Sequence, residues 1–290
     1  MKEAMLYEKL ADGKVHCLVC NHLCTIKEGK RGVCGVRENR DGCLYSLNYG
    51  KTIASANDPI EKKPLYHFLP GSMVYSFAAV GCNFHCLWCQ NWQISQGPRP
   101  DKFVAGVEIT SGEHVKRALS CGASSIAYTY SEPTIFLEYA LDTMKIARSK
   151  GLKNVWVTNG FMSKETLDLI IPYLDAANVD FKCPNDAVYL KFCGGKAQPI
   201  MENLKTLYDA GVHLEITTLV VPDVNDRYDQ LEYIARFIAE KLGPSVPWHV
   251  TRFFPSWKMA STPSTPGSVL EMAREIGVKA GLEYVYCGNV

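Results

Sequence analysis

The sequence predicts an α/β fold in which a parallel sheet closes into a partial (β/α)6 barrel, preceded by a small cysteine-rich extension. Three observations predict this architecture. Strand-like and helix-like segments alternate from Met73 onward, polar residues recur directly after the strands, and five of the 12 cysteines lie within the first 43 residues. Alternation of this kind is typical of parallel sheets built from right-handed crossovers.

The predicted strands are short and rich in β-branched and aromatic residues. They cover residues 73–79, 124–130, 154–158, 176–181, 213–221, 247–254 and 283–287. Helical patterns occupy residues 113–120, 133–150, 163–174, 200–210, 228–242 and 267–279. In the second of these helices Pro133 suits the first turn, and Gly151 suits the position after the last turn.

Polar and special residues favour a barrel over a doubly wound open sheet, which is the alternative. They follow six consecutive strands, at residues 82–89, 131–133, 158–160, 180–182, 222–226 and 255–257. These segments are called the rim below. In α/β barrels the carboxyl ends of the strands form the face that carries the chemistry, so the rim is the expected site.

The composition excludes several classes of protein. Of the 290 residues, 47% are hydrophobic and 21% are charged, which is typical of a globular protein and not of a disordered one. The net charge of +1 argues against a general electrostatic binder of nucleic acid. No run reaches the roughly 18 apolar residues that a membrane helix needs, and residues 1–14 lack the apolar core of a secretion signal. We therefore expect a cytoplasmic protein with no membrane partner.

Two units are expected along the chain. Residues 1–72 are predicted to form a metal-binding extension and a segment that wraps the barrel, and residues 73–290 are predicted to form the barrel. The extension carries four cysteines with the spacing C-x2-C-x3-C-x9-C, namely Cys17, Cys20, Cys24 and Cys34. Four thiolates close a tetrahedral zinc site or hold a second iron–sulfur cluster, and both interpretations stay open.

Cys43 has no obvious partner, Cys287 stands in the last predicted strand, and the other six cysteines fall into two groups. Cys121, Cys183 and Cys193 stand singly in or beside predicted elements and are interpreted as small buried hydrophobes. The other group follows the first barrel strand with the spacing C-x3-C-x2-C and consists of Cys82, Cys86 and Cys89. Three thiolates within eight residues can converge on one iron–sulfur cluster. A structural zinc site with a distant fourth ligand, or three unrelated thiols, are the alternatives.

The second group of cysteines carries a resemblance to a known family. C-x3-C-x-aromatic-C after the first strand of such a series resembles the signature of the radical S-adenosylmethionine (SAM) superfamily. Within it the chain is similar to the radical SAM member of the AmmeMemoRadiSam system, whose proteins resemble pyruvate formate-lyase activating enzymes. The matching runs are CGVRENRDG, DPIEKKPLYHFLPG, GCNFHCLWCQNWQIS, AYTYSEPTIFLEY, NVDFK, HLEITTLVVP and VYCGN.

The resemblance implies which residues hold cofactors. Cys82, Cys86 and Cys89 would bind a [4Fe–4S] cluster, whose fourth iron takes the amino and carboxylate groups of SAM. The residues expected near SAM are Trp88, Glu132, Thr158, Asn159 and Trp257. Superfamily members usually carry Gly-Gly-Glu after the second strand, whereas this chain has Tyr130-Ser131-Glu132 and keeps only the glutamate. A carboxylate suits a hydrogen bond from the SAM ammonium group.

Asp180 and Lys182 are expected to act in catalysis, since they occupy rim positions similar to those that contact SAM or substrate in activating enzymes. Structural roles are open for several of these side chains. Trp88 also suits packing under its loop, Asn159 a turn, Asp180 and Lys182 a solvated charge pair, and Trp257 a core position.

The resemblance also implies the reaction. A reduced cluster would cleave SAM to a 5′-deoxyadenosyl radical, which abstracts hydrogen from a substrate. The resemblance implies that the substrate would be a backbone glycine of a partner protein, or another molecule modified alongside Memo-like and AMMECR-like proteins. An electron donor such as flavodoxin or ferredoxin is expected. The alternative to an enzyme is a non-catalytic iron–sulfur or zinc protein that acts as an electron carrier or scaffold. The polar residues of the rim argue against it, because a carrier does not require them.

Overall fold

The computed structural model describes residues 1–98 and 103–290, and its N-terminal part consists of short antiparallel strands. The strands are β1 (Lys2–Glu3), β2 (Tyr7–Lys9), β3 (Val15–Cys17), β4 (Thr25–Ile26), β5 (Arg37–Arg40), β6 (Cys43–Ser46) and β7 (Lys51–Thr52). The first six form two three-stranded sheets, of order β1-β6-β5 and β2-β3-β4. The buried apolar side chains of the extension, among them Val15, Val36 and Leu44, belong to the same core cluster as those of the barrel.

The main sheet has eight strands and forms the partial barrel that the sequence predicts. Its strands are β8 (Ala54–Pro59), β9 (Met73–Ala78), β11 (Ser125–Tyr128), β12 (Lys153–Thr158), β13 (Ala176–Asp180), β14 (His213–Val220), β15 (Trp248–Arg252) and β16 (Val285–Gly288). The short β10 (Val107–Glu108) lies outside this sheet and pairs with β7. The order is β8-β9-β11-β12-β13-β14-β15-β16, and every pair is parallel except β8 with β9.

This strand order decides between the two predicted topologies. The seven parallel strands follow one another in sequence order, whereas a doubly wound sheet reverses its order at a switch point. The barrel prediction is therefore confirmed, and so are all seven predicted strands, to within three residues at each end. The antiparallel β8 was not predicted, because its sequence, ASANDP, lacks β-branched residues.

Helices alternate with the strands of the main sheet along the chain. They are α1 (Trp92–Ser95), α2 (Ser111–Ser120), α3 (Leu137–Ser149), α4 (Lys164–Ile170), α5 (Asp186–Phe192), α6 (Gln198–Asp209), α7 (Tyr228–Phe237) and α8 (Gly267–Lys279). Side-chain caps begin three of them, since Thr110, Ser163 and Asn185 accept hydrogen bonds from backbone N–H groups of the first turn. All six predicted helices are confirmed. None of the helices in the described residues is long and apolar enough to cross a membrane.

Residues 60–72, called the belt below, run across the amino-terminal end of the barrel. Leu65 of the belt is fully buried in an apolar cluster with Val74 of β9 and Val155 of β12. The buried carboxylate of Glu215 on β14 accepts hydrogen bonds from the backbone N–H groups of Tyr66 and His67, at 3.0 and 2.7 Å. The belt therefore closes this end of the barrel, and access to the interior is from the rim.

A buried ion pair docks the extension onto the barrel. The guanidinium group of Arg37 on β5 donates two hydrogen bonds to the carboxylate of Glu138 on α3, at 2.9 and 2.7 Å. Both side chains are almost fully buried, at 1% and 0% exposed. The Arg37 charge beside Glu138 holds the pKa of that carboxyl below its usual range, against the effect of burial, which raises it. The pair fixes the position of β5 relative to the barrel.

Candidate functional site

The loop that follows β9, residues 81–91, carries three cysteines and is called the cysteine loop. It begins at Gly81, whose φ of +106° is a conformation that favours glycine. Backbone hydrogen bonds tie the loop to the end of α5, since His85 N–H donates to the Cys193 carbonyl at 2.9 Å and Leu87 N–H to the Phe192 carbonyl at 3.0 Å. The loop is therefore held from β9 on one side and from α5 on the other.

Cys82, Cys86 and Cys89 form no disulfide and lie half-buried at the rim. The Phe84 N–H donates to Cys82 Sγ at 3.3 Å, and Cys89 Sγ lies 3.3 Å from the Ser95 hydroxyl. Burial raises the pKa of the Cys82 and Cys89 thiols, and a contact with the Cys193 thiol together with burial raises that of Cys86. Such buried thiols lose their protons when they bind a metal centre.

The donor set fits an iron–sulfur cluster in its chemistry. The three thiols lie on one loop, and none of them forms a disulfide. In residues 1–98 and 103–290 no three His, Cys, Asp or Glu side chains already stand in the geometry of a metal centre. Binding a cluster at the cysteine loop therefore requires the thiol side chains to turn toward one point.

Glu132 is the hydrogen-bond centre of the rim between β11 and β12. Its side chain is buried, and its Oε1 accepts from Thr134 N–H, the Thr134 hydroxyl and the Thr158 hydroxyl, at 3.1, 2.6 and 2.7 Å. Its Oε2 accepts from Asn159 N–H at 2.8 Å. Burial raises the pKa of this carboxyl, although these hydrogen bonds act in the opposite direction. Glu132 thus joins the ends of two strands, and its predicted contact with the SAM ammonium group stays a prediction.

Asn159 connects β12 to the cysteine loop. Its Nδ2 donates to Asn83 Oδ1 at 2.7 Å and lies 3.9 Å from Cys82 Sγ. Its Oδ1 accepts from Phe161 N–H at 3.0 Å, which fixes the orientation of the amide. The structure therefore brings Asn159, Glu132 and Cys82 together at adjacent strand ends.

Lys182 and Asp180 form an ion pair at the carboxyl end of β13, with Nζ and Oδ2 2.7 Å apart. Burial alone would lower the pKa of Lys182, but Asp180 and the neighbouring Cys86 raise it above its ordinary value. The Lys182 side chain is 10% exposed and the Asp180 side chain 37%, so the lysine is withdrawn from solvent while the carboxylate reaches it. A buried cation consequently lies beside the cysteine loop.

The two tryptophans occupy different positions. Trp88 is buried under the cysteine loop and packs against Phe192, with ring centroids 6.1 Å apart. Trp257 lies on the loop after β15, whose Ser256 hydroxyl donates to the Cys89 carbonyl and whose Lys258 N–H donates to the Leu87 carbonyl. That loop therefore lies over the cysteine loop, with Trp257 partly exposed above it.

Sequence reasoning missed two contributors to the rim. Trp92 on α1 has its ring parallel to that of Trp257, with centroids 6.4 Å apart. Cys193 was correctly predicted to be buried, but it also contacts Cys86. Gly194 and Gly195, directly after Cys193, were the sequence signal for this close packing, because a Cβ at either position would clash with the ring of His85 or Phe84. The prediction for Cys121 was wrong, since it is exposed at the end of α2.

Comparison with known proteins identifies the family. The profile described as "Radical SAM superfamily" matches residues 78–238, which run from the last residue of β9 to just past the end of α7 and include the cysteine loop. The chain belongs to the radical SAM superfamily. This family binds a [4Fe–4S] cluster and SAM, so the chain is an enzyme that carries out SAM cleavage chemistry in the general sense.

Relatives of this radical SAM chain fall at two levels of similarity. It is 47% identical over 290 residues to an uncharacterized protein of Methanocaldococcus jannaschii, covering 100% of this chain and 86% of that protein. It is 22% identical over 164 residues to the pyruvate formate-lyase-activating enzyme of Clostridium pasteurianum, covering 54% of this chain and 66% of that enzyme.

Solved structures share the fold. A domain of pyruvate-formate lyase-activating enzyme from Bacteroides vulgatus aligns with a TM-score of 0.51 at 18% identity, over 58% of this chain and 100% of that domain. Streptococcus suis SuiB, bound to S-adenosylmethionine, aligns with a TM-score of 0.57 at 12% identity, over 73% of this chain and 49% of SuiB. At these identities the likeness concerns the radical SAM fold alone.

Proposed function

We propose that this chain reductively cleaves SAM at a [4Fe–4S] cluster held by Cys82, Cys86 and Cys89, and that it abstracts hydrogen from a protein or another substrate at the rim. The observation that carries the proposal is the meeting of the cysteine loop with Asn159 and Lys182 at the ends of neighbouring parallel strands. When bound, the reduced cluster and SAM supply one-electron chemistry that no side chain provides.

In this proposal each rim residue has a separate role beside the cluster and SAM. Lys182, as a buried cation beside Cys86, offsets the negative charge of the thiolates. Asn159 and Glu132 hold the ends of β11 and β12 against the cysteine loop, so that SAM binds to a preorganised surface. Thr158 contributes its hydroxyl to the same hydrogen-bond network. Trp88 supports the loop from below, and Trp257 with its neighbours covers it from above.

The shape of the barrel bears on the substrate. The belt closes the amino-terminal end, so substrate reaches the cluster across the rim. Three apolar side chains stand exposed there, namely Trp92, Leu190 and Phe254, at 39%, 63% and 43%. Exposed apolar groups around a site favour a macromolecular partner that covers them. Relatives named as activating enzymes support a protein substrate as well.

The motifs along the whole chain support a more specific assignment within the radical SAM superfamily. We assign it to the radical SAM component of the AmmeMemoRadiSam system, acting in the cytoplasm with a flavodoxin or ferredoxin as electron donor. Memo-like and AMMECR-like proteins are the proposed partners. The division into an extension of residues 1–72 and a barrel of residues 73–290 also remains a proposal.

The test uses protein that is purified and reconstituted without oxygen. Iron and sulfide content, electron paramagnetic resonance of the reduced cluster with and without SAM, and formation of 5′-deoxyadenosine and methionine are measured. The variant C82A/C86A/C89A is compared with C121A, whose cysteine lies away from the rim at the end of α2. We expect a SAM-responsive [4Fe–4S] signal and product in the wild type and C121A, and neither in the triple variant. A cluster that is indifferent to SAM would overturn the proposal.

A further inference from the structure

Four cysteines of the extension surround one small cavity. Cys17 ends β3, Cys20 and Cys24 lie in the turn before β4, and Cys34 precedes β5. The turn is closed by two backbone hydrogen bonds, from Cys17 N–H to the Cys24 carbonyl at 2.9 Å and from Leu23 N–H to the Cys20 carbonyl at 3.0 Å. All four cysteines are free and all four line the cavity. Strands β3 to β5 therefore bring together thiols that are 17 residues apart in sequence.

A second observation at this cavity points to a charged occupant. Arg37 lines the cavity, is 1% exposed, and has no hydrogen-bond partner for its buried Nε. Its guanidinium interacts electrostatically with Cys17 and Cys34. A buried cation with an unused donor beside four thiols suits thiolates better than neutral thiols, because N–H groups bond strongly to anionic acceptors.

We propose that Cys17, Cys20, Cys24 and Cys34 bind a single zinc ion, which supports the cysteine loop of the active site. The cavity that the four cysteines line together with their neighbours is small, with room for about one water-sized sphere. A cavity of this size suits a single ion better than four irons and four sulfides. Tetrahedral coordination by four cysteines is the ordinary form of a structural zinc site. The metal draws the sulfurs inward on binding, since the thiols do not yet stand in coordination geometry.

Contacts from this site reach both neighbours of Cys82. On one side a Cβ on Gly81 would meet Val36 Cγ1 at 2.9 Å and the Cys34 carbonyl oxygen at 3.1 Å. On the other side the His22 imidazole lies with its Nε2 2.8 Å from the Asn83 carbonyl oxygen. Because His22 lies between two of the zinc ligands in sequence, ordering of the ligands also orders the contact with Asn83. This part rests on the proposed function, since it takes the cysteine loop as the holder of the cluster.

The first experiment counts metals in the full-length chain. Zinc, iron and sulfide are measured in the wild type, in C82A/C86A/C89A, in C24S and in the control C121A. We expect about one zinc per chain in the triple variant with no iron, and loss of that zinc in C24S but not in C121A. Four irons with sulfide in the triple variant, one iron in place of zinc, or no metal at all would overturn the proposal.

Cobalt substitution guards against a C24S variant that fails to fold. Co²⁺ added to the metal-free triple variant is expected to give the intense visible absorption of a tetrahedral tetrathiolate site. Octahedral, weakly absorbing Co²⁺ would contradict the assignment. The zinc count in the triple variant does not depend on SAM, so a wild type with zinc but no SAM-responsive cluster refutes the proposed function while the zinc site stands.

The supporting role is tested by His22→Ala, with His16→Ala on β3 as the matched control. We expect both variants to keep one zinc per chain. Only His22→Ala is expected to lose cluster occupancy after reconstitution, by roughly twofold or more, and to weaken the response of the cluster spectrum to SAM. Equal cluster content and equal SAM response in the two variants would show that the zinc site does not support the cysteine loop.

Discussion

Replacing Glu138 by methionine is expected to destabilise the protein strongly, because it leaves the Arg37 charge buried without its counterion. The two side chains are 0% and 1% exposed and share two hydrogen bonds at 2.9 and 2.7 Å. Without the carboxylate, Arg37 keeps a hydrogen bond to the Ile135 carbonyl, and the Met5 N–H loses its acceptor. Removing one partner of a buried ion pair costs about 3–5 kcal/mol, a large part of the roughly 5–15 kcal/mol that stabilises a domain.

Urea unfolding under anaerobic, reducing conditions measures the loss. Lys153→Met is the control, since it breaks a half-exposed ion pair with Asp175 and is expected to cost less than about 1 kcal/mol. The double variant Arg37→Met/Glu138→Met separates charge from packing. It is expected to recover most of the loss, because apolar replacements of a buried pair are often neutral.

The dependence on pH provides an independent check. Since the pKa of Glu138 is lowered in the folded state from 4.5, its ionised form stabilises the fold above pH about 4.5, and this contribution is lost as the pH falls further. The difference between wild type and Glu138→Met should therefore be constant near neutral pH and shrink in acid. A loss no larger than that of Lys153→Met, or a double variant less stable than Glu138→Met, would refute the reasoning.

Three further substitutions test the belt and the rim. Glu215→Gln is expected to lower the free energy of unfolding by about 3 kcal/mol at pH 7, because hydrogen bonds outweigh burial and lower the pKa of Glu215 from 4.5 to about 2. In urea unfolding this loss of stability should disappear as the pH falls from 4.5 to 2. A loss that persists below pH 2 would contradict the link to the ionised carboxylate. Lys182→Met removes the cation beside Cys86 and is expected to shift the cluster midpoint potential to a more negative value in a redox titration; an unchanged potential would place Lys182 away from the cluster. Asn159→Ala removes one hydrogen bond to Asn83 and is expected to weaken SAM binding by roughly 2–10-fold in spectroscopic titration, whereas unchanged affinity would make Asn159 a turn residue only.

The order of strands and helices was predictable because parallel strands are buried on both faces and so read as continuous apolar runs. The segment SIAY of β11 is buried throughout, and MVYSFA of β9 is buried from Val74 onward. Where the local pattern is weaker, prediction failed. The seven-residue α5 lies in a long loop and depends on its Asn185 cap, and β8 depends on pairing with β9 and not on its own composition.

The candidate site was predictable in its residue types and only partly in its contacts. The spacing of the cysteines places three thiols on one loop, whatever the rest of the chain does. The neighbours of that loop come from distant segments, as with His22 of the extension and Cys193 after α5. Such contacts depend on how separate elements pack, and a single sequence has no local pattern that records them.

Polar side chains inside the barrel bind the backbone of the belt, so the belt is an integral part of the fold. Glu215 and His249, with Asn178, face the interior in strands whose other face is apolar, and a sequence reader would take such side chains for a substrate site. The structure assigns them partners: Asn178 Nδ2 donates to the Pro64 carbonyl at 2.8 Å, and His249 Nε2 lies 2.7 Å from the Glu215 carboxylate that binds the belt backbone. Buried polar groups require such partners, so these residues fix the height of the belt inside the barrel. The strands thereby set the position of the belt, and the polar side chains left for substrate are those nearer the rim.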